Sequence, residues 1–335
     1  MRTSFHPRLI NPPLSDPGLF ISFLFQRRAI LFDLGDLHGL SARDLLKVSH
    51  VFVSHTHMDH FVGFDALLRL CLGRDKELHV FGPRGFFRNV EGKLAGYTWN
   101  LVDDYPYNFR LRATEVEPTA LRSRLYQCKE GFRSVSGTEI SPFCSTLLEE
   151  PQFRIEAVLL DHRIDSLGLS LIENFYVNID KEGLRRLGLS TGPWLTQFKK
   201  ALYEERDPDS AFDVAYDEGG MRKRRSFRLG DLAEEVAKVS PGQKICYVTD
   251  VVGSSQNRTK IVQFIDGADH LFIEAAFLHC DREMAREKSH LTAREAGDLA
   301  REAGVRRFTL FHYSPRYTER QEELEKEALS AFEGK

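Results

Sequence analysis

Four apolar runs, far apart along this chain, each lead into a histidine or an aspartate, and that recurrence constrains the fold more than any other feature. Val48 to Val53 leads into Ser54-His55-Thr56-His57-Met58-Asp59-His60. Phe153 to Leu160 ends in Asp161-His162, Lys244 to Thr249 ends in Asp250, and Arg307 to Phe311 ends in His312. Runs rich in β-branched and aromatic residues at this length read as strands. Neutral imidazoles and carboxylates suit zinc, manganese or iron, so the His55–His60 stretch reads as a metal-binding loop. Alternation puts His55 and His57 on one side of the backbone, while Asp59 and His60 can turn toward a second ion. One histidine at a strand end is commonly structural; the set of His55, His57, Asp59, His60, His162, Asp250 and His312 supplies what a dinuclear hydrolytic site with open water positions requires. Two adjacent cations acidify a water and offset charge on phosphoryl or carbonyl oxygens, so hydrolysis is the expected reaction.

Composition fits one large enzyme domain. The chain has 335 residues, 42% of them hydrophobic and 28% charged, which allows a sizeable core. A net charge of −3 excludes a uniformly basic nucleic-acid binder and makes any polyanion contact local. The five cysteines, Cys71, Cys128, Cys144, Cys246 and Cys280, are odd in number and form no CxxC pair. They suit free thiols in a reducing cytoplasm, with Cys246 in a core strand. No run of about 18 apolar residues exists, so no membrane span is expected. Leu19 to Phe25 is too short, and Gln26-Arg27-Arg28 followed by a further strand makes it half of a hairpin.

Strands and helices alternate along most of the chain. Ser41 should cap a short helix with Asp44 three residues on, and residues 61–72 should form an amphipathic helix behind the metal loop. Strands are expected at 48–53, 78–81, 108–117, 125–128, 155–160, 244–249, 270–275 and 307–311. Helices are expected at 86–94, 231–239, 256–265, 292–303 and 318–332, with Gly304 as a stop. Mixed sheets covered on their outer faces by helices give an α/β, four-layer αββα sandwich, one hydrolase domain over 1–335. Residues 174–229 break the alternation and read as an inserted arm, functional or disordered. They hold Gly192-Pro193, Lys199-Lys200, an acidic stretch at 204–209 and the basic run Arg222-Lys223-Arg224-Arg225. The plainer reading of this insertion is a pair of solvated helices with an irregular loop.

The segments Ile30-Leu31-Phe32-Asp33-Leu34-Gly35, SHTHMDH, Asp161-His162-Arg163 and Tyr247-Val248-Thr249-Asp250, with SHLTAREAGDLAREAG followed by LFHYSPRY, resemble the metallo-β-lactamase superfamily and, within it, the ribonuclease Z branch. The resemblance covers most of the chain. It implies two divalent ions, zinc first and manganese or iron otherwise, one held by His55, His57 and His162, the other by Asp59, His60 and His312, with Asp250 bridging. It implies that His290, at a helix start, protonates the leaving oxygen or stabilises a phosphate, that Glu274 orients His290, and that Asp59 belongs with these two among the catalytic residues. Asp33 would support the metal loop by hydrogen bonds. Arg316 would contact phosphate, and an arm with Gly192, Pro193, Lys199 and Lys200 would grip precursor tRNA, in a homodimer where one subunit's arm serves the other's site. Gly35 is followed here by Asp36-Leu37-His38-Gly39 where the branch commonly has Glu-Gly-Thr-Gln, Ile273 stands before Glu274 where it has histidine, and residues 1–18 carry no Lys-x-Arg-Asn loop. His38 reads as a loop histidine. The alternatives are a phosphodiesterase acting on a small or cyclic nucleotide or another ester, and a catalytically silent, metal-stabilised RNA-binding protein.

Overall fold

A computed structural model describes residues 4–24, 26–134, 137–218 and 221–335; Phe25, at the end of the expected hairpin strand, lies outside them. Packing divides the chain into a larger unit, Phe5–Leu147 with Ile155–Leu171 and Lys244–Lys335, and a smaller one formed by Leu148–Arg154, Ile172–Gln243 and Ser4.

The first sheet of the larger unit runs in sequence order: β1 (Phe5–Leu9), β2 (Leu19–Phe23), β3 (Ala29–Phe32), β4 (Val48–Phe52), β5 (Glu77–Pro83), β6 (Arg110–Val116), β7 (Ala120–Gln127) and β8 (Glu139–Pro142). β3 to β6 are parallel and the flanking pairs antiparallel. Parallel neighbours need crossovers, which α1 (Ala42–Leu45), α2 (Met58–Phe61), α3 (Phe64–Cys71) and α4 (Phe86–Ala95) provide. Ser41 caps α1 as expected, its Oγ accepting from the Asp44 amide at 3.1 Å. The expected helix at 61–72 is instead α2 and α3, separated at Val62-Gly63 and starting earlier, so that Asp59 and His60 are themselves helical. Gly63 is where the chain passes closest to the turn after β3: a Cβ there would stand 2.3 Å from the Gly35 carbonyl oxygen.

After β9 (Thr146–Glu149), β10 (Phe153–Asp161) and β11 (Asp165–Glu173) comes the smaller unit. There β12 (Phe175–Ile179) pairs with β15 (Ala237–Pro241), and β13 (Ala211–Glu218) pairs with β14 (Met221–Arg228), both antiparallel. Three helices, α5 (Lys181–Arg186), α6 (Trp194–Tyr203) and α7 (Leu229–Val236), pack on these strands around a core that includes Trp194, Phe198, Phe212, Val214, Leu232 and Val236. The basic run is therefore a strand, with Arg224 hydrogen-bonded across the hairpin to Asp213. Its own sequence shows no apolar alternation; pairing with Phe212-Asp213-Val214-Ala215-Tyr216, which does alternate, makes it extended. The helix expected at 231–239 stops at Val236 because the following residues are drawn into pairing with β12.

The second sheet has the order β18-β17-β16-β11-β10-β9, with β16 (Lys244–Val248), β17 (His270–Glu274) and β18 (Phe308–Phe311) parallel. Helices α8 (Ser255–Ile265), α9 (Arg282–Lys288), α10 (Ala293–Glu302) and α11 (Gln321–Glu333) belong to this half, and a Thr292–Glu295 capping box starts α10. β11 has no counterpart among the expected strands. Period-two alternation explains the layering. Leu31, Val51, Val80 and Leu111 face α3 and α4, while Cys246, Val248, Ile273 and Leu310 face α8, α10 and α11. The opposite faces meet in a ring layer, where Tyr247 lies 4.9 Å from Phe311 and 5.9 Å from Phe32, and Phe52 stacks on Phe81 at 4.8 Å. Helix, sheet, sheet, helix is the expected αββα order.

The five cysteines are free, and no helix among the described residues is long and apolar enough to cross a membrane. His50 continues the ring layer toward its polar edge, its ring 4.8 Å from that of His79. Burial first, then the charges of His79 and Arg28, push its pKa down to about 3, and burial holds His270 at about 4. An unfolded chain takes up these protons below about 6.5 while the folded chain does not, so the stability they contribute is present above that pH and is lost as pH falls toward 3. In EDTA, urea unfolding of His50→Asn between pH 6.5 and 4 is expected to show a pH slope shallower than the parent's by up to about 1.4 kcal/mol per pH unit.

Candidate metal centre

The four expected segments reach one place in the larger unit. His55 follows β4, His162 follows β10, Asp250 follows β16, and His312 follows β18. Parallel strands aligned in register carry their C-terminal ends to the same edge, where binding sites of α/β sheets form. Asp33, Asp250 and His312 each adopt a left-handed backbone, φ 62°, 46° and 60°. Non-glycine residues held this way cost on the order of 1–3 kcal/mol each and persist where surrounding contacts over-determine them. Those contacts are the side-chain bonds described next.

Asp250 is the hub. Its Oδ2 faces His55 Nε2 at 3.6 Å and His162 Nε2 at 3.5 Å, and its Oδ1 faces His60 Nε2 at 3.4 Å and His312 Nδ1 at 3.0 Å. Ligand atoms of His55, His57, His162 and Asp250 lie within 4.8 Å of one another, as do those of Asp59, His60 and His312. Buried polar atoms ordinarily find hydrogen-bond partners. Here His55 Nε2, His60 Nε2 and His312 Nδ1 are buried without one. A carboxylate presenting one oxygen to each of two imidazole groups, with unpartnered nitrogens converging on it, fits a pair of divalent cations. A third grouping, Asp250, Glu274, His290 and His312, is equally close.

The other ring nitrogens are tied down. His162 Nδ1 donates to the Ser289 carbonyl at 2.9 Å, and His60 Nδ1 lies 2.9 Å from Asp33 Oδ2. His55 Nδ1 is 3.1 Å from Ser54 Oγ. Such bonds fix the tautomer and aim Nε2 at the centre. Asp33 is wholly buried and also accepts from the Ser54 amide at 2.6 Å, Ser54 Oγ at 2.9 Å and the Tyr247 hydroxyl at 2.9 Å.

Charge separates the two halves. Burial, reinforced by His60, pushes His55 down to about 2, and burial lowers His162, leaving both neutral. Burial would also lower His60, but Asp250 and Asp33 outweigh it and hold it at about 10; Asp250 likewise holds His312 well above its ordinary value. Against its own burial, Asp250 is kept well below the usual carboxylate range by His312 and His60. Protons on His60 and His312 thus balance the carboxylates, and a cation binding on that side displaces them.

His290 stands beside both groups, its ring 5.4 Å from that of His162 and 5.3 Å from that of His312. Its Nδ1 is 2.7 Å from the wholly buried Glu274, whose other oxygen accepts from the Val251 amide at 2.8 Å. His290 lies ahead of the helix start expected for it: α10 begins at Ala293, and the His290 amide donates to the Ala285 carbonyl at 2.9 Å.

A ribonuclease Z of Deinococcus radiodurans is 31% identical over 293 residues, 87% of this chain and 83% of that protein. This chain belongs to the ribonuclease Z family. A second ribonuclease Z, from Thermoplasma acidophilum, is 26% identical over 302 residues, 88% of this chain and 80% of its own. The beta-lactamase superfamily domain matches residues 225–313. Among solved structures, human short-form tRNase Z superposes with TM-score 0.52 at 17% identity, covering 93% of each chain. The metallo-β-lactamase fold protein YhfI of Bacillus subtilis superposes with TM-score 0.54 at 15% identity over 98% of this chain and 94% of that one. The fold is that of the metallo-β-lactamases, and this chain is a metal-dependent hydrolase of the endoribonuclease class with His/Asp clusters suited to a dinuclear centre.

Arg316, expected to contact phosphate, is paired with Asp281 at 3.5 Å. Lys199 is half-buried over the Tyr176 ring at 5.4 Å, and Lys200 is exposed beside Glu204 at 3.6 Å. Gly192 and Pro193 precede α6, and His38 is exposed beside Asp36. Ser54, Tyr247 and Ser289 are absent from the expected site; nothing in their local sequence marks a buried serine, a core tyrosine or a carbonyl as a ligand's partner.

His290→Ala is expected to cut turnover roughly 100-fold or more while two equivalents of metal persist by elemental analysis. Loss of metal instead would move His290 into the ligand set.

Proposed function

We propose that this enzyme cuts precursor tRNA on the 3′ side of the discriminator region and leaves a 3′ hydroxyl. The observation that carries this reading is the His290–Glu274 pair beside the metal ligands. His55, His57 and His162 would hold one divalent ion and Asp59, His60 and His312 the other, with one Asp250 oxygen toward each. Imidazole-rich sites of this kind favour zinc, with manganese or iron as substitutes. Bound there, the two cations supply the charge that lowers the pKa of a water and offsets charge developing on phosphoryl oxygens.

His290 does the remaining proton work. Burial would lower its pKa, but Glu274 outweighs burial and raises it. With Nδ1–H held by Glu274, the proton at Nε2 is free to pass to the leaving oxygen. Glu274 anchors that ring to the backbone after Asp250, so proton donor and ligands move as one body.

RNA is gripped by the smaller unit. Arg222, Lys223, Arg224 and Arg225 are exposed in succession along β14, and Lys200 is exposed on α6. Basic residues at a strand carry sequence-independent phosphate contacts. The enzyme works as a homodimer in the reducing cytoplasm, for which five free thiols are suited.

Replacing Lys200 and Arg222 to Arg225 by serine is expected to lower kcat/KM on precursor tRNA and to flatten its salt dependence by about 0.9 in log–log slope for each phosphate no longer neutralised. Hydrolysis of bis-p-nitrophenyl phosphate should be unchanged. Unaltered tRNA cleavage would remove the gripping role, and preference for a cyclic nucleotide over precursor tRNA would replace the substrate. Light scattering should give twice the monomer mass of 38.4 kDa.

A further inference from the structure

Tyr247 offers no ligand atom to a cation, yet it is tied to the centre from the other side of the fold. It sits in β16 of the second sheet, wholly buried, and its hydroxyl donates to Asp33 Oδ2 at the end of β3 in the first sheet. Packing leaves that hydroxyl no choice of position. The ring is stacked on Phe311 with 20° between planes, and it leans on Phe32 at 5.9 Å.

Asp33 Oδ2 serves three groups, the Tyr247 hydroxyl, Ser54 Oγ and His60 Nδ1, each at 2.9 Å, and solvent reaches none of them. A carboxylate held on one side only by the Ser54 amide and hydroxyl could pivot about them. The tyrosine supplies the opposing tether, so the oxygen that fixes the His60 ring has a single place.

We propose that the Tyr247 hydroxyl is a positioning group for one of the two metals, a latch between sheets that holds Asp33 so that His60 aims Nε2 at the centre. The inference rests on the assignment of His60 as a ligand. His162 takes its orientation from the Ser289 carbonyl, and His55 from Ser54 Oγ, which meets the tyrosine only through Asp33. The latch therefore bears directly on one ion and reaches the other only at second hand, through Ser54. A tyrosine needed only for packing would make no such distinction.

Tyr247→Phe keeps the ring and removes one oxygen, so the stack on Phe311 survives. Zinc would be titrated from the fully loaded enzyme with a chromophoric chelator, reading two dissociation constants. One is expected to weaken about tenfold, the lower end for loss of a ligand's outer partner, while the other stays within about twofold. Turnover lost at limiting zinc should return when free zinc is raised, with KM unchanged. In a His60→Gln background, Tyr247→Phe should have no further effect on metal.

Two unchanged constants, two constants weakened equally, or the full tenfold loss persisting in His60→Gln would each overturn the latch. If His60→Gln alone leaves both constants intact, the ligand assignment fails, and the latch with it. Should Tyr247→Phe fail to fold, Ser54→Ala with Tyr247 retained gives the second measurement: the latch then keeps His60 aimed, and the weakening on that side should be smaller than that caused by Asp33→Asn. Equal weakening by the two would overturn it.

Discussion

A carboxylate removed from water must be surrounded by positive charge or by donors, because an isolated buried charge is too costly to keep. Asp250 is that carboxylate, and four imidazoles from three separate strand ends stand within 3.6 Å of it. No one of those strands can shift in register without stripping a partner from it. The parallel pairing of β3 to β6 and of β16 to β18 is therefore coupled to the centre: the same registry that fills the core brings the ligands together.

His55, His60 and His162 each spend one nitrogen on the scaffold and leave the other for the centre, while His312 spans Asp250 and Asp59. This division lets a strained backbone persist at Asp33, Asp250 and His312, since the side chains are bound tightly enough to oppose relaxation. Close approach adds to the rigidity. A Cβ on Gly35 would stand 2.4 Å from the Pro17 carbonyl oxygen and 2.7 Å from that of Asp59, so the turn after β3 presses directly on the metal loop. Glu274 performs the corresponding task for His290, bonding at once to that ring and to the backbone beyond Asp250.

The smaller unit follows another logic. It has a core of its own, and its charges are spread over an exposed hairpin where several arginines already have carboxylate partners, Arg224 with Asp213 and Arg228 with Asp209. Exposed pairs of this sort contribute little to stability. They leave a surface that can exchange partners with a polyanion at small cost, which a buried centre cannot do.

Resemblance to the family paired Glu274 with His290. The sequence alone determined the layered class and most elements of the larger unit, and it marked the strand-end histidines and aspartates as candidate ligands, because apolar periodicity and imidazole chemistry are local properties. It could not determine that residues 61–72 split around Gly63, since the reason is the Gly35 carbonyl pressed against it, nor that a basic run is a strand, since its partner supplies the alternation. Tyr247 is legible there only as part of a motif. Its bond to Asp33 joins residues 214 apart in the chain, and only the facing of two sheets brings that hydroxyl to that oxygen.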